Sequence, residues 1–511
     1  MTRQALTQKL YLEVTPPQQG DNLADLDRLR RALEQKLGDV ILPYQAVRRS
    51  YTAIRTGEYR VTATLFYSGR SWTLQKLEPG DTRLSHYGLA ADLGSTTVSL
   101  QLFDCNSGLE LASETAVNKQ VQYGADILSR IFYTKDSEEH RQQLQKLTAQ
   151  TLNELTEAVC QQAGIAPDQI SSLVVAGNTT MMQFLYCIDA FPVFMAPFAP
   201  IFNRMEPVPA KELGLMLDGV VYAYPSAANY LGGDVISGIL ATGMASREEL
   251  SLLIDIGTNG EITLGNQDYL IAGAGAAGPA LEGAISKHGM RAAPGAVETV
   301  VIEDGKLQIS TIGGERPAGI CGSGIVDLLA QMLLAGWMEC GGSLVPGASD
   351  AIVELDGQLA VCYADESASA GGQALYFTQE DIRQFTDTKA AANTMVACLL
   401  QAAGVEAQSI GRIYLAGAFG QHMNLESAIT IGLYPDLPRE RFVVAGNTSL
   451  QGASALLLNR EYLNRANEIA ESIYYLEFAM QENFLTIMQA ARFYPHTDME
   501  QYPSVKKKLG L

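Results

Sequence analysis

Two similar stretches of sequence, DLGSTTVSL (92–100) and DIGTNGEIT (255–263), decide the predicted fold. In each, an apolar run ends in an aspartate, followed by an apolar residue, a glycine and a cluster of hydroxyl or amide side chains. The glycine permits a tight hairpin with exposed backbone. The N–H and hydroxyl groups that follow can bind phosphate, while the aspartate holds Mg²⁺ through water. A single copy is often only a turn, but the pair, 163 residues apart, favours a duplicated phosphate site.

The residues assigned to these hairpins fall into two sets. The first predicted phosphate loop comprises Asp92, Gly94, Ser95, Thr96 and Thr97, and the second comprises Asp255, Gly257, Thr258, Asn259, Gly260 and Glu261. A second repeat, VVAGNT, occurs identically at 174–179 and 443–448. Repeats this far apart indicate two related lobes, because a solenoid repeats at a much shorter period.

Two further glycine motifs are candidates for the nucleotide site. In IYLAGAFG (413–420), the small residues Gly417, Ala418 and Gly420 would let a purine or ribose approach the backbone, although glycines that only pack a strand against a helix would look the same. In GICGSGIVDLLA (319–330), the residues Gly322, Ser323 and Gly324 are predicted to begin a helix with exposed N–H groups. Asp327, one turn into that helix, is expected close enough to contact a ligand, and Cys321 is read as structural.

Other nucleotide motifs are not supported. GAGAAG (273–278) formally matches GxGxxG, but Pro279 follows at once and no clean βαβ unit opens there. No GxxxxGK followed by Ser or Thr is present, so P-loop chemistry is not indicated.

Composition narrows the possible partners. The chain has 511 residues and 47 glycines, and its 36 basic and 56 acidic residues give a net charge of −20. Such a surface repels nucleic acid and anionic lipid. No apolar stretch is long enough to span a membrane and no secretory pattern begins the sequence, so we expect a cytoplasmic protein. The seven cysteines lack CxxC spacing and the five histidines are scattered, which predicts reduced thiols and no zinc site.

The chain is predicted to be an α/β protein with a small α+β unit at residues 1–85. Apolar strand-like runs alternate with helical patterns from Tyr87 onward. The predicted segments are a first lobe at 86–246, a second lobe at 247–460 and a helical segment at 461–511 that packs back on the lobes.

The order of these motifs resembles the actin-like superfamily of sugar kinases, heat-shock 70 ATPases and actin. NKQVQYGADILSRI (118–131), LGGDVISGI (231–239) and GNTSLQGA (446–453) are more specifically similar to ATP-dependent reductive activators of corrinoid proteins. The resemblance covers nearly all of 87–511, and residues 1–85 resemble the middle domain of that family.

This resemblance implies a function. Family members use ATP to drive reduction of a partner's corrinoid from Co(II) to Co(I), so that a methyltransferase resumes turnover. ATP and Mg²⁺ would lie between the two lobes, with Asp92 and Asp255 at the metal. Asp234 of LGGD is a candidate for the metal or the attacking water, or else a helix cap, and Glu282 faces a ligand or partner or is structural. A homodimer is also implied.

The sequence departs from the family in one respect. No cysteine precedes Cys105, so this chain is expected to hold no iron–sulfur cluster, and a removed domain or a separate ferredoxin-like protein would supply the electron. Two alternatives stay open: a small-molecule kinase of the same fold, and a non-catalytic scaffold gated by nucleotide.

Overall fold

The structure is a computed structural model that describes residues 4–124, 126–256, 260–275 and 285–511, with only the backbone described at 418, 419 and 421. Strands and helices are numbered here in chain order. The strands are β1 Thr7–Glu13, β2 Val40–Ile41, β3 Arg60–Tyr67, β4 Trp72–Pro79, β5 Tyr87–Leu93, β6 Thr97–Asp104, β7 Glu110–Val117, β8 Ile170–Gly177, β9 Val208–Pro209, β10 Val220–Ala223, β11 Ser251–Ile256, β12 Gly260–Gly265, β13 Leu270–Gly275, β14 Ala296–Glu303, β15 Lys306–Thr311, β16 Gly319–Ile320, β17 Ile352–Leu355, β18 Gln358–Ala364, β19 Leu375–Thr378, β20 Arg412–Ala416, β21 Phe442–Gly446 and β22 Tyr474–Tyr475.

The α-helices alternate with these strands, as the sequence pattern predicts. They are α1 Asp25–Leu37, α2 Tyr44–Ser50, α3 Ala53–Thr56, α4 Ile127–Thr134, α5 Glu138–Ala163, α6 Thr179–Leu185, α7 Gly233–Thr242, α8 Gly322–Leu334, α9 Gln379–Ala403, α10 Gly417–His422, α11 Leu425–Thr430, α12 Thr448–Leu458, α13 Glu461–Ser472, α14 Phe484–Ala491 and α15 Pro503–Lys508. The predicted α/β class is confirmed.

The chain forms two compact units. The first contains the described residues up to Gly243 together with Thr448–Ile473, and the second contains Met244–Asn447, where described, together with Tyr474–Leu511. The chain therefore passes between units three times. These divisions differ from the predicted segment boundary at 460, because α12 and α13 pack against α7 of the first unit.

The first unit contains two sheets. A four-stranded sheet has the order β1-β3-β4-β2, and a six-stranded sheet has the order β7-β6-β5-β8-β10-β9. Strand β8 is buried at every position, as expected for a parallel strand with both faces covered. Helix α5 packs on one face of the larger sheet and α12 on the other, and alternation along β5 directs Gly88 and Asp92 toward α12.

The second unit has a matching six-stranded sheet in the order β21-β20-β11-β12-β13-β22, with two three-stranded sheets, β15-β14-β16 and β17-β18-β19. Lys389 of α9 fixes the C-terminal segment to this unit. Its fully buried ammonium donates to the carbonyl oxygen of Ala491 at 2.6 Å and also to those of Phe493 and Pro495. Burial lowers the pKa of this ammonium, and the three carbonyls offset part of the cost of removing it from water.

Candidate functional site

The first predicted phosphate loop is the tight turn between β5 and β6. Asp92 lies one residue before the end of β5, where it pairs with Ser99 of β6 and with Ala176 of the parallel strand β8. A side chain at Gly94 would place its Cβ 2.4 Å from the carbonyl oxygen of Thr97. No Cβ can occupy that position without moving the backbone, so the turn requires glycine.

Ser449, at the start of α12, holds the Asp92 carboxylate. Its hydroxyl donates a hydrogen bond to Asp92 Oδ1 at 2.8 Å, and Ser449 itself is buried. A hydrogen bond to an ionised acceptor is stronger than one between neutral groups. Ser449 lies in the GNTSLQGA motif, but no role was predicted for it because 357 residues separate it from Asp92.

Asn118, immediately after β7, was also not predicted as a site residue. Its side-chain amide donates to the carbonyl oxygen of Gly94 at 2.9 Å, and its backbone N–H donates to that of Thr96 at 2.8 Å. The only signal in the sequence was the position of Asn118 at the head of NKQVQYGADILSRI.

The second hairpin is described only in its two strands. Strands β11 and β12 are antiparallel, with Asp255 opposite Glu261 and Ile256 opposite Gly260. The predicted loop residues Gly257, Thr258 and Asn259 lie outside the described residues.

The AGAFG motif meets this second hairpin. Asp255 pairs with Ala416, the last residue of β20, and Gly417 follows with a φ of +74°. A Cβ at Gly417 would lie 2.8 Å from Asp255 Oδ1. The structure thus brings together two residues that the sequence placed in separate motifs. Tyr434 also lies near this carboxylate: burial raises the pKa of its hydroxyl, and the Asp255 charge adds to the effect.

The two aspartates are equivalent in their register with the neighbouring parallel strands, although the hairpins themselves differ in length by one residue. Asp92 pairs with Ala176 of β8, as Asp255 pairs with Ala416 of β20, and a glycine follows the alanine in both cases. The VVAGNT copies are not equivalent, because one covers the end of β8 and the other covers the end of β21, which lies one strand farther from the hairpin. The two units are therefore related by duplication. The Asp hairpins and the Ala-Gly pairs occupy equivalent places in them, and the VVAGNT copies do not.

Asp234 lies in the first turn of α7, after the cap residue Gly232. Its Oδ1 accepts a hydrogen bond from the N–H of Val235 at 2.9 Å. A Cβ at Gly232 would meet the backbone of Asn178 and Thr179 at 2.6 Å, so this helix start is packed against the end of β8. The candidate carboxylate consequently belongs to the same edge of the first unit's sheet as Asp92.

The GSG motif begins α8, as predicted, with Cys321 as the cap residue. A Cβ at Gly324 would lie 2.2 Å from the carbonyl oxygen of Val297, which explains that glycine by packing. Ser323 contacts the Cys321 thiol at 3.3 Å. Helix α10, which begins at Gly417, packs against α8.

The expectation that Asp327 reaches a ligand is wrong. Asp327 is 3% exposed, and its Oδ2 accepts a hydrogen bond from the N–H of Val300 at 3.4 Å. Burial raises the pKa of this carboxyl. Asp327 therefore ties α8 to β14 inside the core.

The disfavoured GAGAAG motif is partly described. Gly273 and Gly275 lie within β13 and not in a loop, and side chains there would collide with Phe478 and Met395. These glycines serve strand packing. The predicted residues Gly278 and Glu282 belong to 276–284, which lie outside the described residues.

The chain is matched by three family models. They are described as the C-terminal domain of RACo, the ASKHA domain, at residues 249–506, the RACo middle region at 87–247, and the RACo linker region at 1–83. The first of these alone covers half of the chain. The chain belongs to the RACo family.

Named relatives agree with this assignment. The chain is 30% identical over 471 residues to the corrinoid activation enzyme RamQ of Eubacterium limosum, covering 90% of this chain and 78% of RamQ. It is 23% identical over 433 residues to a Co(II) methylated amine-specific corrinoid protein reductase of Methanosarcina barkeri, covering 78% of this chain and 75% of the reductase.

A solved structure matches over nearly the whole chain. The reductive activator for corrinoid, iron-sulfur protein superposes with a TM-score of 0.87 at 36% identity, covering 98% of this chain and 81% of the activator. The predicted resemblance and the ASKHA fold are thus confirmed. One label changes: residues 1–83 correspond to the RACo linker region, and the RACo middle region is 87–247.

Neither a metal site nor a membrane-spanning helix is found in the described ranges. No group of three or more His, Cys, Asp or Glu side chains there is arranged to hold a metal ion. Within the same ranges, no helix is both long and apolar enough to cross a membrane.

Proposed function

We propose that this protein is an ATP-dependent reductive activator that restores the Co(I) state of a corrinoid protein serving a methyltransferase. The observation that carries the proposal is the match, over 98% of the chain, to the reductive activator for corrinoid, iron-sulfur protein. The names of the Eubacterium limosum and Methanosarcina barkeri relatives support the same substrate class.

Mg²⁺-ATP fits the residues of both hairpins. The 94–97 turn offers backbone N–H groups and the hydroxyls of Ser95, Thr96 and Thr97, which are the kinds of donors that bind phosphate oxygens. Asp92 and Asp255 supply the hard oxygen ligands that Mg²⁺ prefers, directly or through water. Bound Mg²⁺ would neutralise charge on the phosphate oxygens.

The remaining predicted site residues are assigned by the same proposal. In the first unit, the hydroxyls and N–H groups of the 94–97 turn bind phosphate oxygens, and Asp234 orients water or metal. In the second unit, Gly260 and Glu261 continue the phosphate hairpin, and residues 417–420 and 322–324 lie on the nucleoside side.

The reduction of Co(II) to Co(I) is energetically uphill, so ATP must supply or redirect free energy for it. The Co(II) corrinoid of the partner accepts one electron to give Co(I), and a ferredoxin-like protein supplies that electron. ATP binding or hydrolysis can favour this uphill step by shifting the activator between two states. Binding does so only if one state binds ATP more tightly than the other. The described cysteines are all free thiols, in keeping with a reducing cytoplasm. We include a homodimer in the proposal.

The test is corrinoid absorption spectroscopy. A Co(II) corrinoid protein is mixed with the chain, a ferredoxin and a reductant, and the appearance of Co(I) is followed with and without Mg²⁺-ATP. We expect Co(I) to form faster with ATP. An equal rate without nucleotide would overturn the proposed coupling.

A carboxylate variant ties the activity to the site. Asp92→Asn keeps the shape of the side chain and removes its charge, and we expect Mg²⁺-ATP affinity to fall by about tenfold or more. Asp168→Asn is the control, because Asp168 is an exposed carboxylate of the same unit with no assigned role. Equal losses in both variants would contradict the role of Asp92.

A further inference from the structure

One buried residue, Asn118, is hydrogen-bonded to the predicted phosphate loop. Asn118 is fully buried, and its amide and backbone N–H groups donate to the carbonyl oxygens of Gly94 and Thr96 at 2.9 and 2.8 Å. Both acceptors belong to the turn between β5 and β6. The turn is therefore bonded at two alternate peptide groups to a single residue.

These bonds fix the direction of the neighbouring N–H groups. In a trans peptide the carbonyl of one residue and the N–H of the next point in opposite directions. Because the carbonyls of Gly94 and Thr96 are directed to Asn118, the N–H groups of Ser95 and Thr97 are directed away from it. Two N–H groups presented on one side of a turn form an anion-binding arrangement.

A second layer of buried polar groups holds Asn118. The N–H of Gln120 donates to Asn118 Oδ1 at 3.0 Å, and Arg130 Nη1 donates to Gln120 Oε1 at 3.3 Å. Gln120 also donates to the hydroxyl of Thr148 at 2.6 Å and to the carbonyl of Leu144 at 3.0 Å. Asn118, Gln120 and Arg130 all lie in the NKQVQYGADILSRI motif.

Arg130 makes this network costly. It is fully buried, forms no ion pair with the described residues, and has one terminal nitrogen, Nη2, without a hydrogen-bond partner there. Burial lowers the pKa of its guanidinium to about 10, so it stays charged at neutral pH. Taking a cation out of water costs free energy. The carbonyl oxygen of Gly124, which accepts from Arg130 Nε at 2.9 Å, and the negative charge of Asp126 offset part of that cost.

We propose that Asn118 is the positioning residue of the phosphate loop, orienting the N–H groups of Ser95 and Thr97 toward the ATP phosphates, with Gln120 and Arg130 holding it in place. This inference rests on the proposed binding of ATP at residues 94–97. Asn118 acts through the loop and does not itself contact the nucleotide.

The test compares Asn118→Asp with Asn153→Asp. Both asparagines donate through Nδ2 to a backbone carbonyl, of Gly94 at 2.9 Å and of Gly214 at 3.0 Å, and both accept a backbone N–H through Oδ1. The substitution therefore removes the same donor in each case. Asn153 lies on α5, and its partners are outside the predicted site.

Binding of Mg²⁺-ATP and of adenosine is measured by calorimetry for each variant. We expect Asn118→Asp to weaken Mg²⁺-ATP binding by about tenfold or more, with adenosine affinity within about twofold of wild type. Asn153→Asp should change neither. If Asn118→Asp does not fold, Asn118→Ser, which adds no charge, is measured in its place and the same loss is expected.

The outcomes separate the two proposals. If wild type binds Mg²⁺-ATP and both Asn118 variants bind it equally well, the positioning role is refuted and the proposed function stands. A parallel loss of ATP and adenosine affinity would also refute it, since a general structural role predicts that pattern. If the wild-type chain does not bind Mg²⁺-ATP, both proposals fail.

Discussion

Gly417→Ala is the substitution that most directly tests the second half of the site. Gly417 has a φ of +74°, where a residue with a Cβ is strained by about 1–2 kcal/mol. Alanine also restricts the unfolded chain, which returns about 0.4–1 kcal/mol. The net loss of stability is thus of order 1 kcal/mol, a few degrees in the melting temperature of a unit this size.

The effect on the site should be larger than the effect on stability. The new Cβ would lie 2.8 Å from Asp255 Oδ1, and ordinary contact begins near 3.4 Å, so the carboxylate must retreat by about 0.6 Å. Metal–ligand distances tolerate deviations of only about 0.2 Å. We therefore expect Mg²⁺-ATP affinity to fall by about tenfold, or about 1.4 kcal/mol.

A matched control separates strain from displacement. Gly404 ends α9 with a φ of +66°, and a Cβ there would meet nothing within 4 Å. Gly404→Ala should therefore lose comparable stability in thermal unfolding and keep wild-type Mg²⁺-ATP affinity in calorimetry. The reasoning is refuted if Gly417→Ala melts like the control and also binds Mg²⁺-ATP as wild type does.

Two other predictions follow from single buried contacts. Ser449→Ala removes the 2.8 Å hydrogen bond to Asp92 and should weaken Mg²⁺-ATP binding severalfold. Ser454→Ala, on the same helix, removes a 2.8 Å bond to the neutral side chain of Gln101 on β6 and should leave the affinity unchanged. Equal affinities of the two variants in calorimetry would exclude the role of Ser449. Burial lowers the pKa of His86 to about 4, so the folded protein keeps it neutral while the unfolded chain takes up a proton below about 6.5. Its contribution to stability is therefore complete above pH 6.5 and is lost as the pH falls toward 4, by up to about 3 kcal/mol. Denaturation of His86→Gln across this range should show a flatter pH dependence, and an unchanged slope would contradict the assignment.

The hairpins were predictable from sequence because their determinants are local. An apolar strand that ends in Asp-x-Gly must turn, and the antiparallel pairing of β5 with β6 and of β11 with β12 follows from that turn. The helix start at Gly322 was predicted from the sequence in the same way. In each case the physical cause lies within about ten residues of the feature.

Asn118 and Ser449 could not be predicted because their partners are brought to them by tertiary packing. Asn118 meets Gly94 across 24 residues, and Ser449 meets Asp92 across 357. Asp327 failed for a related reason. Nearly every residue of α8 is buried, so the sequence does not distinguish a face of this helix that packs in the core from a face that meets a ligand.

The two halves of the duplication preserve the same carboxylate, and their described neighbours allow two different perturbations of it. Asp92 accepts a hydrogen bond from the hydroxyl of Ser449, and a Cβ at Gly417 would lie against Asp255. Asparagine at 92 can still accept from Ser449 through its amide oxygen, and so keeps the geometry while losing the charge. A side chain at 417 does the reverse, because it moves the Asp255 carboxylate and leaves its charge intact. Comparing these two variants therefore separates the contribution of charge from that of position.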